Sequence, residues 1–286
     1  MSILLHADSR VIIQGITSEY AARQTGAMLR YGTRVVAGVT PGRGGSEVHG
    51  VPVYDTMAEA LAEHPADTSA VYAGTGQVVD AVREAIAGAM RLVFVTGEGL
   101  PVHDVMTLRA LTRRAGTWLI GPNSLGLVSP GKALMGAFAP EWLRPGGLGL
   151  MSRGGTLSLR CTQQLHADGI GISTAVHIGG DTVLGRNPAE YLQAFEDDPE
   201  TRAVLLVSEV GGGKDDEAAA FIPRMSKPVV ALVVGHHAPR GKAMGHAGAL
   251  IGNDRQTAAA KEERLRAAGA RIARRPEDIA ALLGPL

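Results

Sequence analysis

The chain is 286 residues long, 45% hydrophobic and 20% charged; this is enough apolar material for one large core or two ordinary ones and excludes a disordered chain. Its 28 basic and 28 acidic residues cancel, so the basic excess of a nucleic-acid-binding protein is missing and any anion site has to be local. One cysteine, Cys161, rules out an internal disulfide framework, the first eight residues lack a signal-peptide pattern, and no apolar run reaches the roughly 18 residues of a membrane span, so a cytoplasmic protein without a membrane or nucleic-acid partner is expected.

Arg10 to Thr17 reads as a buried strand running into a tight turn. Ser18 stands where a helix N-cap is needed, and Ser18 to Tyr31 has helical character. Arg34 to Val39 is a second β-branched run, which completes a β-turn-α-β unit. The turn after the first strand of such a unit binds phosphates on free N–H groups. The glycine fingerprint for a dinucleotide is absent, because Ser18 and Ala21 follow Gly15 where more glycines are expected. Thr40-Pro41-Gly42-Arg43-Gly44-Gly45 then sets an arginine among glycines at a strand's carboxyl end, where its guanidinium can fork onto a phosphate.

Strand and helix go on alternating. Ser69 to Tyr72, Leu92 to Thr96 and Trp118 to Ile120 read as strands, Gln77 to Met90 as a helix, and Pro101 as the start of another. This regular alternation predicts a parallel, doubly wound sheet with ligands at the carboxyl ends of its strands. Those ends carry Thr17-Ser18, Pro41 to Gly45, Thr96-Gly97-Glu98 and Pro122-Asn123. The stretch from Pro130 to Gly147, interrupted by Pro140 and Pro145, reads as an irregular crossing between domains in which Phe138 and Trp142 pack structurally.

The second half repeats the pattern without repeating the sequence. Leu148 to Met151, Gly171 to Val176, Ala203 to Val207 and Pro228 to Val234 read as strands. Ser152-Arg153-Gly154-Gly155-Thr156 leads into a helix from about Thr156 to Asp168, and small residues at a positive helix end make a phosphate cradle of Arg153, Gly154, Gly155 and Thr156. Cys161 lies within that helix and reads as a small buried apolar residue. Gly211 to Lys214 lacks the spacing of a nucleotide P-loop. Helices are expected over Glu262 to Ala268 and Asp278 to Leu283.

One loop stands out. In Gly241-Lys242-Ala243-Met244-Gly245-His246-Ala247-Gly248-Ala249 a histidine is flanked by glycines that keep it exposed and open to close approach. A neutral imidazole is a good nucleophile near pH 7 when a carboxylate on one ring nitrogen leaves the other free. Glu209, at the end of a predicted strand, is the candidate carboxylate. His236, His237 and His246 lack a compact metal-ligand spacing with Cys or acidic residues, so no metal site is expected.

At these residues the chain resembles the alpha subunit of succinyl-CoA synthetase and its acyl-CoA ligase relatives, over nearly its whole length. The stretches that carry the resemblance are Val39 to Gly45, Ile120-Gly121-Pro122-Asn123, Ile178-Gly179-Gly180-Asp181 and Lys242 to Gly248. The resemblance implies an α/β fold with an N-terminal Rossmann-like CoA-binding domain (residues 1–123) and a flavodoxin-like ligase domain (residues 124–286). It implies that His246 is phosphorylated and oriented by Glu209, that Thr17, Ser18, Arg43, Thr96, Gly97, Glu98, Pro122 and Asn123 bind coenzyme A, and that Leu159, Gly179 and Gly180 lie near the acid substrate. It also implies a beta subunit of ATP-grasp fold that holds ATP or GTP with Mg²⁺, in an alpha-beta heterodimer or heterotetramer. The reaction would pass a phosphoryl group through His246 to a carboxylate and end with attack of CoA on the acyl phosphate.

The departures point at the acid. The family's CoA loop usually has glycines at Ser18 and Ala21 and a lysine at Arg43, and its cradle usually has serine at Gly154. A tyrosine near the carboxylate is replaced by Leu159, the usual Cys-Pro is Ser124-Leu125, and His236-His237 stand where small or apolar residues are common. A lost hydroxyl changes the polarity of the acid pocket, so a carboxylate other than succinate, such as malate or citrate, is expected. Two alternatives stand beside this reading: a CoA-binding or regulatory subunit of the same family with altered turnover, and a nicotinamide-dependent oxidoreductase, which the missing glycine fingerprint disfavours.

Overall fold

The computed structural model describes residues 2–246 and 248–284; Met1, Ala247, Pro285 and Leu286 lie outside the described residues. In chain order the first half contains β1 (Arg10–Gln14), α1 (Glu19–Tyr31), β2 (Arg34–Val39), β3 (Glu47–Val48), β4 (Val51–Tyr54), α2 (Met57–Glu63), β5 (Thr68–Val71), α3 (Val78–Ala87), β6 (Leu92–Val95), α4 (Val102–Ala115) and β7 (Trp118–Ile120). The second half contains β8 (Gly126–Ser129), β9 (Ala133–Gly136), β10 (Pro145–Ser152), α5 (Gly155–Ala167), β11 (Ile172–His177), α6 (Pro188–Asp197), β12 (Ala203–Glu209), α7 (Lys214–Phe221), β13 (Val229–Val234), α8 (Ala258–Ala267), β14 (Arg271–Ala273) and α9 (Ile279–Leu283).

These elements form two seven-stranded sheets. The first has the order β3-β4-β2-β1-β5-β6-β7, in which only β3 runs antiparallel. Its parallel strands follow the Rossmann order, with the reversal at β1 and β5. The second has the order β14-β13-β12-β10-β11-β8-β9; β10 to β14 are parallel, in the flavodoxin order, and reverse between β10 and β12. The expected α/β fold, Rossmann-like and then flavodoxin-like, is the one observed.

Local chemistry explains the element ends. Ser18 caps α1 by accepting from the Ala21 N–H, and Gly32 closes the helix at φ 98°. Along β1 the side chains alternate between two cores. Val11 and Ile13 join the apolar cluster that continues through Leu134, Met135, Leu150 and Val176 of the second sheet, whereas Ile12 joins a separate cluster with Val71, Val93, Val78 and Leu108.

One expectation is corrected in part. Residues 130–147 are not irregular throughout: β9 and the start of β10 lie within them, and apart from the hairpin turn at 130–132 only the stretch 137–144 is free of strand. β8 and β9 form an antiparallel hairpin that extends the second sheet alongside β11, and β10 begins at Pro145. Every residue of both hairpin strands is buried, so the alternation that marks a half-exposed strand is missing, and the pairing with β11 spans about fifty residues of sequence. Thr33 pins the hairpin to the first half: its hydroxyl donates to the Leu134 carbonyl at 2.7 Å and accepts from the Leu134 N–H at 2.9 Å.

Candidate functional site

The reversal of the second sheet collects the expected catalytic groups. Glu209 is the last residue of β12, His177 the last of β11, and Arg153 follows the end of β10. Register places Ser152 opposite both His177 and Val207, which brings the three side chains to one edge. The loop after β13 returns over this edge, and Nδ1 of His246 lies 3.0 and 3.1 Å from the two carboxylate oxygens of Glu209. The other ring nitrogen has no hydrogen bond among the described residues. Gly180 packs directly against the ring, and a Cβ there would sit 2.9 Å from Cγ of His246. The hydrogen bond to Glu209 raises the His246 pKa above its ordinary value, against the opposing effect of burial; Asp181 adds to the rise and Arg153 opposes it.

The cradle forms beside this pair. Gly154 is the N-cap of α5 and offers no side-chain cap, so the first-turn N–H groups of the helix stay open. Gly154 borders the carboxylate, since a Cβ on it would lie 3.9 Å from Oε2 of Glu209. Gly155 is half-buried with open space above it, and Thr156 is exposed. Arg153 is buried, and its Nε and Nη1 have no hydrogen-bond partner among the described residues. The guanidinium lies against the histidine loop, where a Cβ on Gly248 would be 2.7 Å from Nη2. A buried cation with idle donors beside an uncapped helix start fits an anion.

Three residues that the sequence reading did not assign support this arrangement. His177 is buried and accepts from the Leu125 N–H at 2.7 Å through Nδ1, while Nε2 donates to the Arg153 carbonyl at 2.7 Å. Burial pushes its pKa down to about 4, so the ring is neutral. Lys261 is fully buried on α8 and holds the Glu209 carbonyl at 2.8 Å, the Gly211 carbonyl and the Asp215 carboxylate. Asp181 accepts from the Asn123 side chain at 3.0 Å, and burial raises its pKa. The run Ala258-Ala259-Ala260-Lys261-Glu262 reads as an ordinary solvated helix, and only the fold reveals that its lysine points inward.

The remaining candidates divide. Thr17, whose hydroxyl donates to Thr40 at 3.3 Å, and Ser18 lie at the end of β1; the exposed Arg43 side chain has no partner among the described residues. Next to them a cavity of about 370 Å³ at the first sheet's reversal is lined by Gln14, Gly15, Thr40, Pro41, Gln77 and Asp80, among others. Thr96, Gly97 and the exposed Glu98 end β6, and the Asn123 N–H donates to the Gly97 carbonyl at 2.7 Å. The Asn123 carbonyl in turn accepts from the Gly180 N–H at 3.0 Å, so Gly97, Asn123, Gly180 and His246 form one continuous line of contact from the first sheet to the second. Pro122 and Gly179 are buried in this line. Leu159 stands apart, half-buried on α5 and packed against the apolar core. Cys161 is buried, with its thiol pushed up to about 12 by burial. Among the described residues no group of three or more His, Cys, Asp or Glu could hold a metal ion, and no helix is long and apolar enough to cross a membrane.

Comparison with known proteins agrees with this layout. Residues 6–99 match the CoA binding domain family and residues 151–271 the CoA-ligase family. The chain is 48% identical over 273 residues to subunit alpha 1 of the ADP-forming succinate–CoA ligase of Archaeoglobus fulgidus, covering 96% of this chain and 94% of that protein. The chain belongs to the alpha-subunit family of succinate–CoA ligases. As a member of that family it is an acid–thiol ligase chain with a CoA-binding domain, one of two kinds of subunit. This succinate–CoA ligase family chain is also 41% identical to the malate–CoA ligase alpha subunit of Methylorubrum extorquens, over 96% of its own length and 95% of that protein. The structure of ATP citrate lyase from Methanothrix soehngenii in complex with citrate and coenzyme A superposes with a TM-score of 0.89 at 25% identity; the match covers 98% of this chain and 50% of that one.

Proposed function

We propose that this chain is the phosphoryl-carrying alpha subunit of a nucleotide-dependent acid–CoA ligase and that His246 is the carrier. The observation that supports this most directly is the bond from Nδ1 of His246 to Glu209, whose carboxylate borders Gly154 at the uncapped start of α5, with the second ring nitrogen unbonded among the described residues and the idle donors of Arg153 against the histidine loop. A carboxylate is a poor electrophile because its leaving group would be an oxide; phosphorylation supplies a stable one. In this reading the neutral ring takes a phosphoryl group from ATP or GTP through its free nitrogen, and the nucleotide diphosphate leaves. Glu209 keeps the proton on Nδ1 and stabilises the charge that develops on the ring. Arg153 and the N–H groups of Gly155 and Thr156 hold the phosphoryl oxygens. The group then passes to the acid, and the acyl phosphate yields its acyl carbon to the CoA thiol with release of phosphate.

The nucleotide and Mg²⁺ are assigned to a separate beta subunit, since Gly211 to Lys214 lacks P-loop spacing; the ATP-grasp fold of that subunit is what the family resemblance implies. CoA is assigned to the carboxyl edge of the first sheet, with Arg43 on a phosphate and Thr17, Ser18, Thr96, Gly97, Glu98, Pro122 and Asn123 along its path toward His246. Gly179 and Gly180 border the acid in this reading; Leu159, packed against the apolar core, keeps a place near it only by the family resemblance. The acid is succinate or a related carboxylate; relatives named for succinate and for malate at similar identity support that range. The test combines the chain with its beta subunit and γ-labelled ATP or GTP. An acid-labile, base-stable label is expected on the wild type and not on His246→Asn. A label that survives acid, or persists in His246→Asn, overturns the reading. A panel of acids then identifies the substrate, and a clear best rate with succinate would exclude a shifted specificity.

A further inference from the structure

We infer that Lys261 is a positioning residue for the Glu209–His246 pair. Its ammonium is wholly buried, and its donors go to the main-chain carbonyls of Glu209 and Gly211 and to the Asp215 carboxylate. Both carbonyls belong to the segment that carries the pair. Glu209 supplies the carboxylate on the ring, and Gly211 packs against Gly248 and Leu250 of the histidine loop, leaving no room for a side chain. Asp215, in the first turn of α7, is the third acceptor of the ammonium. An ammonium held by three acceptors at the carboxyl end of β12 therefore fixes where the strand stops and where the turn beneath the histidine loop begins. The bonds to main-chain carbonyls are independent of the side chain at 209, so Lys261 acts on the placement of the carboxylate beyond the Coulombic effect of its charge. The consequence for phosphoryl transfer rests on the proposed function; the consequence for the ring's titration does not.

Charge alone and positioning predict opposite signs. The charged groups facing Lys261 are Asp215, Arg153 and Glu209; those facing His246 are Glu209, Arg153 and Asp181, with the neutral, titratable His177 also interacting with the ring. Removing a cation from this neighbourhood would raise the His246 midpoint or leave it unmoved. Releasing Glu209 would lower it, because the bond from Glu209 is what raises it. The test uses the full chain carrying Lys261→Met with Asp215→Asn, which removes the ammonium without leaving a buried carboxylate unpaired, and Lys261→Arg, which keeps the ion pair but displaces both carbonyl bonds. The His246 midpoint is read by NMR titration, CoA binding by calorimetry, and labelling from ATP with the beta subunit present. The proposal expects both variants to fold and bind CoA within about two-fold of wild type, the midpoint to fall toward the ordinary imidazole value, and labelling to slow at least ten-fold. A midpoint that stays or rises in a folded variant overturns it. Failure of both variants to fold overturns it too, since Lys261 would then be a determinant of the fold. Absence of label on the wild type would sink the proposed function but leave the titration to judge Lys261.

Discussion

The two sheets solve different problems with the same architecture. Each reverses its strand order once, and each places its candidate ligand groups at that reversal. At the first sheet several of those groups lie open: Ser18, Arg43 and Glu98 face solvent, Ser18 is engaged only in capping its own helix and in the turn before it, and the Arg43 side chain has no partner among the described residues. At the second sheet the groups around the half-buried histidine are already bonded: Glu209 to His246, His177 to Arg153 and Leu125, Lys261 to the end of β12. A long, flexible cofactor can be gripped by side chains that order as it arrives. A reactive ring has to be oriented beforehand, because rearrangement during the transfer would add to its barrier.

This contrast can be tested by substitution on either side. The largest effect is expected from Glu209→Gln. The ring would lose the charge that fixes its proton, and labelling of His246 should slow by about 10²–10⁴-fold. Because an unprotonated nitrogen must attack, wild-type labelling should rise with pH through a midpoint above the ordinary imidazole value of 6.5, and Glu209→Gln should move that midpoint down. A midpoint indifferent to the substitution would mean that the carboxylate does not set the ring's charge.

His177 tests preorganisation through stability. Its pKa is depressed to about 4 in the fold, against 6.5 when unfolded. The stability it contributes is therefore complete above pH 6.5 and is lost as pH falls toward 4, where the unfolded chain takes up a proton that the folded one refuses. The whole window is worth at most about 3 kcal/mol. Denaturant melts of wild type and His177→Asn across pH 7 to 4 should show a steeper decline for wild type; parallel curves would refute a neutral buried ring. Gly180→Ala should press a methyl group into the His246 ring, where its Cβ would sit 2.9 Å from Cγ. Labelling should fall on the order of 10²-fold, as ångström displacements of reacting groups do, with CoA binding little changed. The smallest effect belongs to the first sheet. Arg43→Ala removes an exposed charge and should raise the KM for CoA roughly ten-fold while leaving nucleotide-dependent labelling of His246 intact. If labelling fell as well, the separation between the two sheets would not hold.

Much of this was legible in the chain itself. The strand–helix alternation, the N-cap at Ser18 and the strand-end loops at Arg43, Thr96 and Arg153 all follow from local chemistry, and each lies where it was expected. Helices α2 and α6 were not expected, although Thr56 with Glu59 and Asn187-Pro188 with Glu190 close capping boxes in the structure, a local signal that could have marked both starts. The hairpin of β8 and β9 was not legible, because burial on both faces removes its alternation and its partner strand is distant in sequence.

By itself the sequence determined the fold class, the strand–helix alternation and the histidine between two glycines, because propensity, capping and periodicity act over a few residues. Only the tertiary structure decided that Glu209 would meet His246 and that His177, Lys261 and Asn123 would brace them. Those contacts join residues between 24 and 58 positions apart. Which strands become neighbours, and which buried groups then need partners, depends on packing two sheets around a shared core, a condition that no short stretch of chain can express.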